Sequence, residues 1–284
     1  MVAARAHRAD RLVGGRYRLR ERLGAGGMGA VYRASDERSQ RDVAVKLMRA
    51  RVARDPAQLC RFHAEAELGA RLAHPHIVAV LDAGTDFMVM ELIRGPNARA
   101  LLRRRGRLEP FEAVLLLGQV CAALQHAHDQ GVVHQDVSPG NILVDQGGRT
   151  AKLADFGLAG AVGEVARSCG ADTMGTPGYV APEVAAGAAP SPASDLYSLG
   201  MVAHRFLAGF PRVRRADPDA TAPLPTAIAS PPPILAEDRP DLPVGVVDAV
   251  QRALDPDPAA RQASAAEFRA QLASGPRPEL ALAA

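Results

Sequence analysis

The sequence predicts an α+β protein built from two lobes, and three observations point to that class. Residues 16–90 alternate apolar and polar positions over short segments, as strands do, and include one helical stretch. Leucine-rich helical periodicity then takes over in residues 97–130, 193–209 and 244–273. The pair Gly95-Pro96 lies between the two regions and breaks regular structure. We therefore expect an antiparallel, β-rich first lobe with one main helix and a mainly helical second lobe.

Short apolar segments are the predicted strands of the first lobe. In chain order they are residues 17–23, 30–34, 43–48, 77–81 and 87–92. The main helix is predicted over residues 55–72, because apolar side chains recur there at helical spacing and Pro75 stops the pattern. A turn over residues 82–86, which contains Gly84, is expected to join the last two strands.

These patterns divide the chain into an extension, one two-lobed domain and a tail. The predicted bounds are 1–15 for the N-terminal extension, 16–273 for the domain and 274–284 for the tail. Within the domain, residues 16–90 form the first lobe, 91–95 the hinge and 96–273 the second lobe. Residues 211–243 are rich in proline and are expected to form a loop region with at most short helices. Because ligands favour clefts between lobes, we expect the functional site beside the hinge.

Composition and charge exclude several classes of protein. The chain has 284 residues, 48% of them hydrophobic and 23% charged, and a net charge of +3, which favours a globular protein over a nucleic-acid binder. Three scattered cysteines match neither a disulfide framework nor a metal site. The N-terminus lacks the apolar core of a signal peptide, and no run of eighteen apolar residues exists. The sequence thus predicts a cytoplasmic protein with no nucleic-acid and no membrane partner.

The first motif with chemical content is GAGGMG, residues 24–29, followed by Val31. Alone, this spacing is compatible with a dinucleotide fingerprint or with a plain flexible turn. A dinucleotide fold would place a helix after it, whereas here a strand is predicted on each side. A glycine hairpin between strands suits a lid whose backbone approaches phosphates closely.

A lysine on the next strand is the second candidate. Of the 34 basic residues, only Lys46 and Lys152 are lysines, so a lysine is retained at position 46 in a chain that otherwise uses arginine. The apolar neighbours in VAVK, residues 43–46, hold its stem in the lobe, although a solvated lysine at a strand end is the alternative. Its acidic partner is predicted to be Glu65 on the main helix, with Glu67 assigned to the solvated face.

Three later motifs complete the pattern. In HQDVSPGN, residues 134–141, Asp136 could accept a hydroxyl proton, Asn141 could bind a metal, and His134 is expected to pack beneath the loop. Asp155, in DFG, follows a predicted strand and could hold Mg²⁺. The third motif is GTPGYVAPE, residues 175–183. Motifs of this kind in this order are very improbable by chance.

Together these motifs resemble those of protein kinases and, within them, the bacterial eukaryotic-like (Hanks-type) serine/threonine protein kinases. The likeness runs over about residues 17–272. It implies the bilobal protein-kinase-like fold and transfer of the γ-phosphoryl group of ATP to protein hydroxyls, with Mg²⁺ or Mn²⁺ as the metal. The implied partners are protein substrates, and autophosphorylation within a homodimer is compatible with the resemblance.

The resemblance also implies a role for each matched residue. Asp136 would be the catalytic base, with Lys46 contacting the phosphates while paired with Glu65, and Asn141 and Asp155 would bind the metal. Thr176 would position the substrate near Asp136. The implied ATP-binding residues are Leu23, Gly24, Ala25, Gly26, Gly27, Met28, Gly29, Val31, Ala44, Lys46, Met90, Glu91, Ile93 and Leu143. Two implied structural roles are a Glu183–Arg261 pair and a brace of the catalytic loop by Asp195.

Two positions depart from the family pattern. Gln135 stands where an arginine usually binds a phosphate on the activation segment, so phosphorylation of the candidate sites Ser168 and Thr173 is not expected to switch on activity. Ser138 stands where a lysine usually contacts the transferred phosphoryl group. These departures leave two alternatives open: a pseudokinase that acts as a nucleotide-binding scaffold, and a small-molecule phosphotransferase of related fold. GTPGYVAPE argues against the second, since it resembles a peptide-docking platform.

Overall fold

The computed structural model describes residues 11–27, 29–156, 160–161, 175–210 and 234–274, with backbone alone at 160 and 161. The statements below concern these residues. The predicted phosphosites Ser168 and Thr173, the loop residue Met28 and most of the proline-rich region lie outside them.

A single antiparallel sheet forms the first lobe. Its strands are β1 (Leu12–Val13), β2 (Tyr17–Ala25), β3 (Gly29–Asp36), β4 (Arg41–Met48), β5 (Val80–Ala83) and β6 (Phe87–Glu91). Their order in the sheet is β1-β2-β3-β4-β6-β5, and every neighbouring pair is antiparallel. One face packs an apolar cluster that includes Tyr17, Leu19, Tyr32 and Val45. The lobe is therefore the β-rich unit that the alternating sequence predicts.

The strand predicted over residues 77–81 is placed differently in the structure. Strand β5 begins at Val80 and runs to Ala83, so it takes in the first two positions of the predicted turn. Ile77 instead forms a parallel bridge to Leu153, in the second lobe. Its apolar character therefore reflects burial between the lobes rather than pairing within the sheet, a distinction that local periodicity does not make.

The main helix of the first lobe, α1 (Pro56–Arg71), matches its predicted bounds within one residue. The Asp55 side chain caps it by accepting a hydrogen bond from the Ala57 N–H, and Pro56 suits its first turn. Phe62 is buried in an apolar cluster with residues of the neighbouring strands. Glu65 lies on the same buried side of the helix and is therefore directed to the interior.

Helices build the second lobe. They are α2 (Ala98–Arg105), α3 (Pro110–Asp129), α4 (Pro182–Ala185), α5 (Pro192–Ala208), α6 (Leu235–Asp238), α7 (Val244–Ala253) and α8 (Ala265–Ala273). The predicted helical stretch 97–130 is divided because Gly106 adopts φ +81° and Pro110 starts a new helix. The stretch 244–273 is likewise two helices. Fully buried residues of α3, such as Leu116, Val120 and Leu124, lie at the centre of the largest apolar core.

A short hairpin forms the floor between the lobes. Its strands β8 (Ile142–Val144) and β9 (Ala151–Leu153) pair antiparallel, after the two-residue strand β7 (Val132–Val133), which pairs with β10 (Gly160–Ala161). The hairpin follows the HQDVSPGN loop and precedes Asp155. It therefore brings the two motifs to one place.

The hinge passes close to this hairpin. A side chain on Gly95 would collide with the backbone oxygen of Val144, so glycine is required where the hinge enters the second lobe. An isolated bridge between Asn97 and Leu143 continues the contact. Of the helices that the structure describes, none is both long and apolar enough to cross a membrane.

Candidate active site

A cleft of about 410 Å³ lies between the lobes at the hinge. Most of the predicted ATP-binding residues line it: Leu23, Gly24, Val31, Ala44, Lys46, Met90, Glu91, Ile93 and Leu143. Glu65, Asn141 and Asp155 line it as well. The cleft thus combines apolar walls with polar groups that converge at one end, an arrangement typical of ligand sites.

The glycine hairpin covers the cleft without filling it. The Gly26 N–H donates a hydrogen bond to the Gly29 backbone oxygen at 2.9 Å, which closes the turn. A side chain on Gly29 would collide with the Leu47 backbone oxygen. Gly24, Gly26 and Gly27 have open space where a side chain would begin. Ala25, Gly26, Gly27 and Gly29 do not line the cleft itself, so a role for them in ATP binding remains a prediction.

Lys46 connects the two lobes through two carboxylates. Its Nζ lies 2.6 Å from Glu65 Oε1 and 2.8 Å from Asp155 Oδ1. The lysine comes from β4, the glutamate from α1 and the aspartate from the segment after β9. Glu67, the alternative partner, is exposed. The sheet, the main helix and the second lobe are therefore joined at one ammonium group.

Burial sets the electrostatics of this triad. Burial lowers the pKa of Lys46, but the charges of Asp155 and Glu65 outweigh it and hold that pKa above its usual value. Burial raises the pKa of Glu65 to about 7, because the nearby Asp155 charge adds to it against the attraction of Lys46. For Asp155, burial is outweighed by Lys46, so its pKa stays below the ordinary value. Glu65 is therefore the member that takes up a proton first.

Asp136 is held by hydrogen bonds to both of its carboxylate oxygens. Thr176 donates to Oδ1 from its backbone N–H at 2.7 Å and from its hydroxyl at 2.6 Å. Asn141 Nδ2 donates to Oδ2 at 2.8 Å. Ser138 is buried close by, with its Oγ 3.4 Å from Thr176 Oγ1. A side chain on Gly175 would approach the Gln135 backbone oxygen to 2.7 Å, so glycine lets the GTPGYVAPE segment come this close.

The backbone of the HQDVSPGN loop is braced from below by Asp195. Its carboxylate accepts hydrogen bonds from the backbone N–H groups of His134 at 2.8 Å and Gln135 at 2.9 Å, as expected. Gln135 has φ +68°, a conformation rare outside glycine, and these bonds help to hold it. His134 is buried as predicted, with its ring 4.5 Å from the Phe156 ring. The loop geometry is thus fixed by buried groups outside the cleft.

Asn141 and Asp155 are suited to a divalent metal. The Ala154 N–H donates to the Asn141 backbone oxygen at 2.8 Å, which sets the two residues side by side. Asn141 spends its amide nitrogen on Asp136, so its amide oxygen is left to act as a ligand. In the described part of the chain, no group of three or more histidine, cysteine or acidic residues could hold a metal. That fits Mg²⁺, which binds to one or two protein oxygen ligands together with substrate phosphates.

The predicted Glu183–Arg261 pair forms, deep in the second lobe. Arg261 donates two hydrogen bonds to the Glu183 carboxylate, at 2.7 and 2.8 Å, and also binds the Ala193 backbone oxygen at 2.9 Å. Its guanidinium lies 5.0 Å from the centre of the Tyr197 ring. The end of the GTPGYVAPE segment is thereby attached to the helical core.

Sequence reasoning missed one contact at the hinge. Lys152 Nζ lies 2.6 Å from Glu91 Oε1, and the same oxygen accepts the Ala79 N–H at 2.9 Å. The rarity of lysine in this chain marks Lys152 as unusual. Its partner lies 61 residues away in sequence, so no local pattern identifies it.

Comparison with known proteins agrees with this geometry. A family described as "Protein kinase domain" matches residues 17–265. The serine/threonine-protein kinase PknA of Mycobacterium tuberculosis is 40% identical over 276 residues, covering 93% of this chain and 63% of PknA. PknB of Mycolicibacterium smegmatis is 38% identical over 274 residues, covering 90% of this chain and 42% of PknB. The chain thus spans less than two thirds of these relatives.

The fold has solved counterparts as well. The crystal structure of the Mycobacterium tuberculosis PknI kinase domain superposes with a TM-score of 0.71 and 30% sequence identity. The match covers 93% of this chain and 98% of that domain. At this level of identity and coverage, the two-lobed architecture described above is that of a kinase domain.

Proposed function

The chain belongs to the protein kinase family, among the bacterial Hanks-type serine/threonine kinases, and we propose that it is an active Mg-ATP-dependent kinase of protein hydroxyls. The observation that carries this proposal is the position of Lys46, within hydrogen-bond distance of both Glu65 and Asp155. This pair of contacts joins the phosphate-binding lysine of the first lobe to the metal-binding aspartate of the second. A chain that only imitates the fold has no need to keep both.

Asp136 is proposed as the catalytic base. In the reaction the substrate hydroxyl oxygen attacks the γ-phosphorus of ATP, the bond from that phosphorus to the ADP oxygen breaks, and the hydroxyl proton passes to Asp136. The hydrogen bonds from Thr176 and Asn141 fix the carboxylate for this role. Thr176 thereby positions the group that receives the substrate, which is the role proposed for it.

Asn141 and Asp155 are the proposed metal ligands. When bound there, Mg²⁺ neutralises charge on the phosphates and bridges them. Lys46 would share that charge, while the backbone of Gly24, Gly26 and Gly27 would cover the phosphates from above. The walls of the cleft, including Val31, Ala44 and Leu143, would enclose adenine, with backbone groups of Glu91 and Ile93 as its polar partners.

Regulation by an activation-segment phosphate is not part of the proposal. The neutral side chain of Gln135 cannot form the charge-assisted bonds that bind a phosphate. The loop is already held by Asp195 without such a phosphate. Ser168 and Thr173 are therefore proposed as sites of autophosphorylation that does not switch the enzyme on.

A pseudokinase is the second candidate, and the buried Ser138 is the observation that favours it. Loss of a charged contact to the transition state costs about 2–4 kcal/mol, which corresponds to two to three decades in rate. A nucleotide-binding scaffold would tolerate that loss. The retained base and metal ligands favour the active kinase. A small-molecule phosphotransferase is a weaker candidate, because Thr176 is engaged with Asp136 in the manner expected of a peptide-docking segment.

The decisive experiment measures intact-protein mass after incubation with Mg-ATP, beside the Asp136→Asn variant. We expect added phosphates in the parent and none in the variant, and mapping them tests Ser168 and Thr173. Parallel assays with generic protein substrates and with aminoglycosides separate the protein kinase from a small-molecule kinase. Nucleotide binding without transfer to the chain itself or to any of these substrates would establish the pseudokinase instead. We further propose a cytoplasmic site of action and transient pairing of two copies during autophosphorylation.

A further inference from the structure

An arginine at the start of α2 lies against the catalytic loop. The backbone N–H of Arg99 donates a hydrogen bond to the Pro139 oxygen at 2.9 Å. The Asn97 side chain caps the same helix by accepting the Ala100 N–H at 2.9 Å. The first turn of α2 is thus attached to the HQDVSPGN loop independently of what the Arg99 side chain does.

The guanidinium group of Arg99 points along the loop to Ser138. A methyl group placed on the Gly140 Cα would lie 3.3 Å from Arg99 Nη2 and 3.6 Å from Ser138 Oγ. These two atoms are therefore within about 7 Å of each other, a span that an extended lysine side chain at position 138 would cover. Because Gly140 has no side chain, the space beside the loop is open to the guanidinium.

The Arg99 charge is also uncompensated, unlike that of many other arginines in the chain. Among the described residues, no carboxylate oxygen lies within 4 Å of its guanidinium, whereas Arg16, Arg105 and Arg261 each bind an acid. Its place in the first turn of α2 is unfavourable for a cation, because that end of a helix dipole is positive. Neither a salt bridge nor helix stability explains an arginine here.

The neighbouring segment places this charge on the substrate side of the loop. Burial raises the pKa of the Tyr179 hydroxyl, and the positive charges of Arg205 and Arg99 oppose that rise. Arg99 is therefore electrostatically close to the GTPGYVAPE segment as well as to Gly140. The cleft residues Asn97 and Ala100 flank it on the other side.

We propose that Arg99 supplies to the phosphoryl-transfer site the positive charge that Ser138 does not. The inference rests on the proposed kinase activity and explains how it survives the loss of the lysine. As the γ-phosphoryl group moves from ADP to the substrate oxygen, its equatorial oxygens carry negative charge that a nearby cation stabilises. Arg99 provides that cation from α2 instead of from the loop.

The test is a double-mutant cycle with a protein substrate, in which kcat and the KM for ATP are measured for the parent, Arg99→Gln, Ser138→Lys and the double variant. We expect Arg99→Gln to lower kcat about ten- to a hundredfold and to change the KM for ATP by less than about threefold. In the Ser138→Lys background the same change should lower kcat by less than about threefold. Arg103→Gln, four residues along the exposed face of α2, is the matched control and should match the parent.

Arg99→Lys adds a second, independent test, since it retains the charge and the apolar stem. It should keep kcat within about fivefold of the parent, and a lysine variant as slow as the glutamine variant would contradict the proposal. Equal losses from Arg99→Gln in both backgrounds would overturn it too, as would a change confined to the KM for the protein substrate.

Failure of the proposed function has a different signature. An active parent with an equally active Arg99→Gln variant removes only the role of Arg99. A parent without any transfer overturns the proposed function. If Ser138→Lys alone then restored transfer, Arg99 would be shown not to replace the lysine; if it did not, both proposals would fall together.

Discussion

Lys152 Nζ lies 2.6 Å from Glu91 Oε1, so the floor of the cleft is bound to the first residue of the hinge. The chain contains two lysines, and both bind a carboxylate where the lobes meet. Lys46 joins the sheet to α1 and to Asp155, whereas Lys152 joins β9 to Glu91. Two point contacts thus set how the lobes face each other across the nucleotide cleft.

Lys152→Met is expected to lower the free energy of unfolding by about 1–2 kcal/mol, because it leaves the half-buried Glu91 carboxylate with only the Ala79 N–H as partner. Since Glu91 lines the cleft, the KM for ATP should rise several-fold while kcat changes little. Urea unfolding and steady-state kinetics check the two effects.

The control for this prediction is the cycle with Glu91→Gln. If the pair acts as a unit, the double variant should be less destabilised than the sum of the single variants. Simple additivity would mean that Lys152 and Glu91 stabilise the protein through separate contacts.

Lys46→Met should abolish phosphoryl transfer and leave the fold intact. The methionine fills the space of the stem, and Glu65 can take up a proton once the ammonium is gone, since burial already raises its pKa to about 7. Single-turnover assays measure transfer, and circular dichroism with thermal unfolding measures the fold. Residual transfer near the parent rate would contradict the assignment of Lys46, and Lys152→Met serves as the control for loss of a lysine elsewhere.

The sequence predicted the strongest periodic elements and the site motifs well. The helix Pro56–Arg71 was expected over residues 55–72 and Pro192–Ala208 over 193–209, because long apolar periodicity and good caps act locally. The order of the motifs also indicated which side chains would meet at the cleft. Lys46 and Glu65 could be paired from sequence because each lies on a regular element whose facing side is set by its pattern.

The contacts that could not be predicted are those made between distant segments. Ile77 was assigned to a strand of the first lobe but pairs with Leu153, because its burial arises from the junction of the lobes. Arg99 belongs to an arginine-rich helix, and only the bond from its N–H to Pro139 brings it to the catalytic loop. Lys152 and Glu91 are 61 residues apart. Local patterns carry no information on such distances.

Activity should fall as the pH drops through about 7, owing to Glu65. Below that pH the Glu65 carboxyl is protonated, and Lys46 then has Asp155 as its remaining charged partner. Because this describes the free enzyme, the change is expected in kcat/KM for ATP between pH 8 and pH 6. The raised pKa has the opposite effect on stability, which is highest below the unfolded value of 4.5 and is lost as the pH rises through 7.

Glu65→Gln separates this effect from that of the histidines, which titrate in the same range. The variant should be slower at every pH, and its kcat/KM for ATP should be nearly constant from pH 6 to pH 8. An unchanged acid limb in the variant would assign the pH dependence to another group.

Thr176→Val tests whether the carboxylate of Asp136 must be oriented. The substitution removes the 2.6 Å hydroxyl hydrogen bond and retains the shape of the side chain and the 2.7 Å bond from its N–H. A misplaced base is expected to lower kcat about ten- to a hundredfold, with ATP affinity unchanged. Thr176→Ser keeps the hydroxyl and should stay within about threefold of the parent. Equal rates for the valine and serine variants would show that the hydroxyl has no part in orienting Asp136.

Gly95→Ala should damage the junction of hinge and second lobe more than any other part of the protein. The new methyl group would collide with the backbone oxygen of Val144, and a backbone atom in the β8 hairpin cannot rotate away as a side chain can. Overpacking of this kind costs about 2–3 kcal/mol. Gly245→Ala is the matched control, because in the first turn of α7 its methyl group would make only an ordinary 3.9 Å contact with Ser274 Oγ. There, alanine should raise the free energy of unfolding by about 0.5 kcal/mol through its better helix propensity. Urea unfolding of both variants gives the comparison, and equal stabilities would mean that the hinge can shift away from Val144 at little cost.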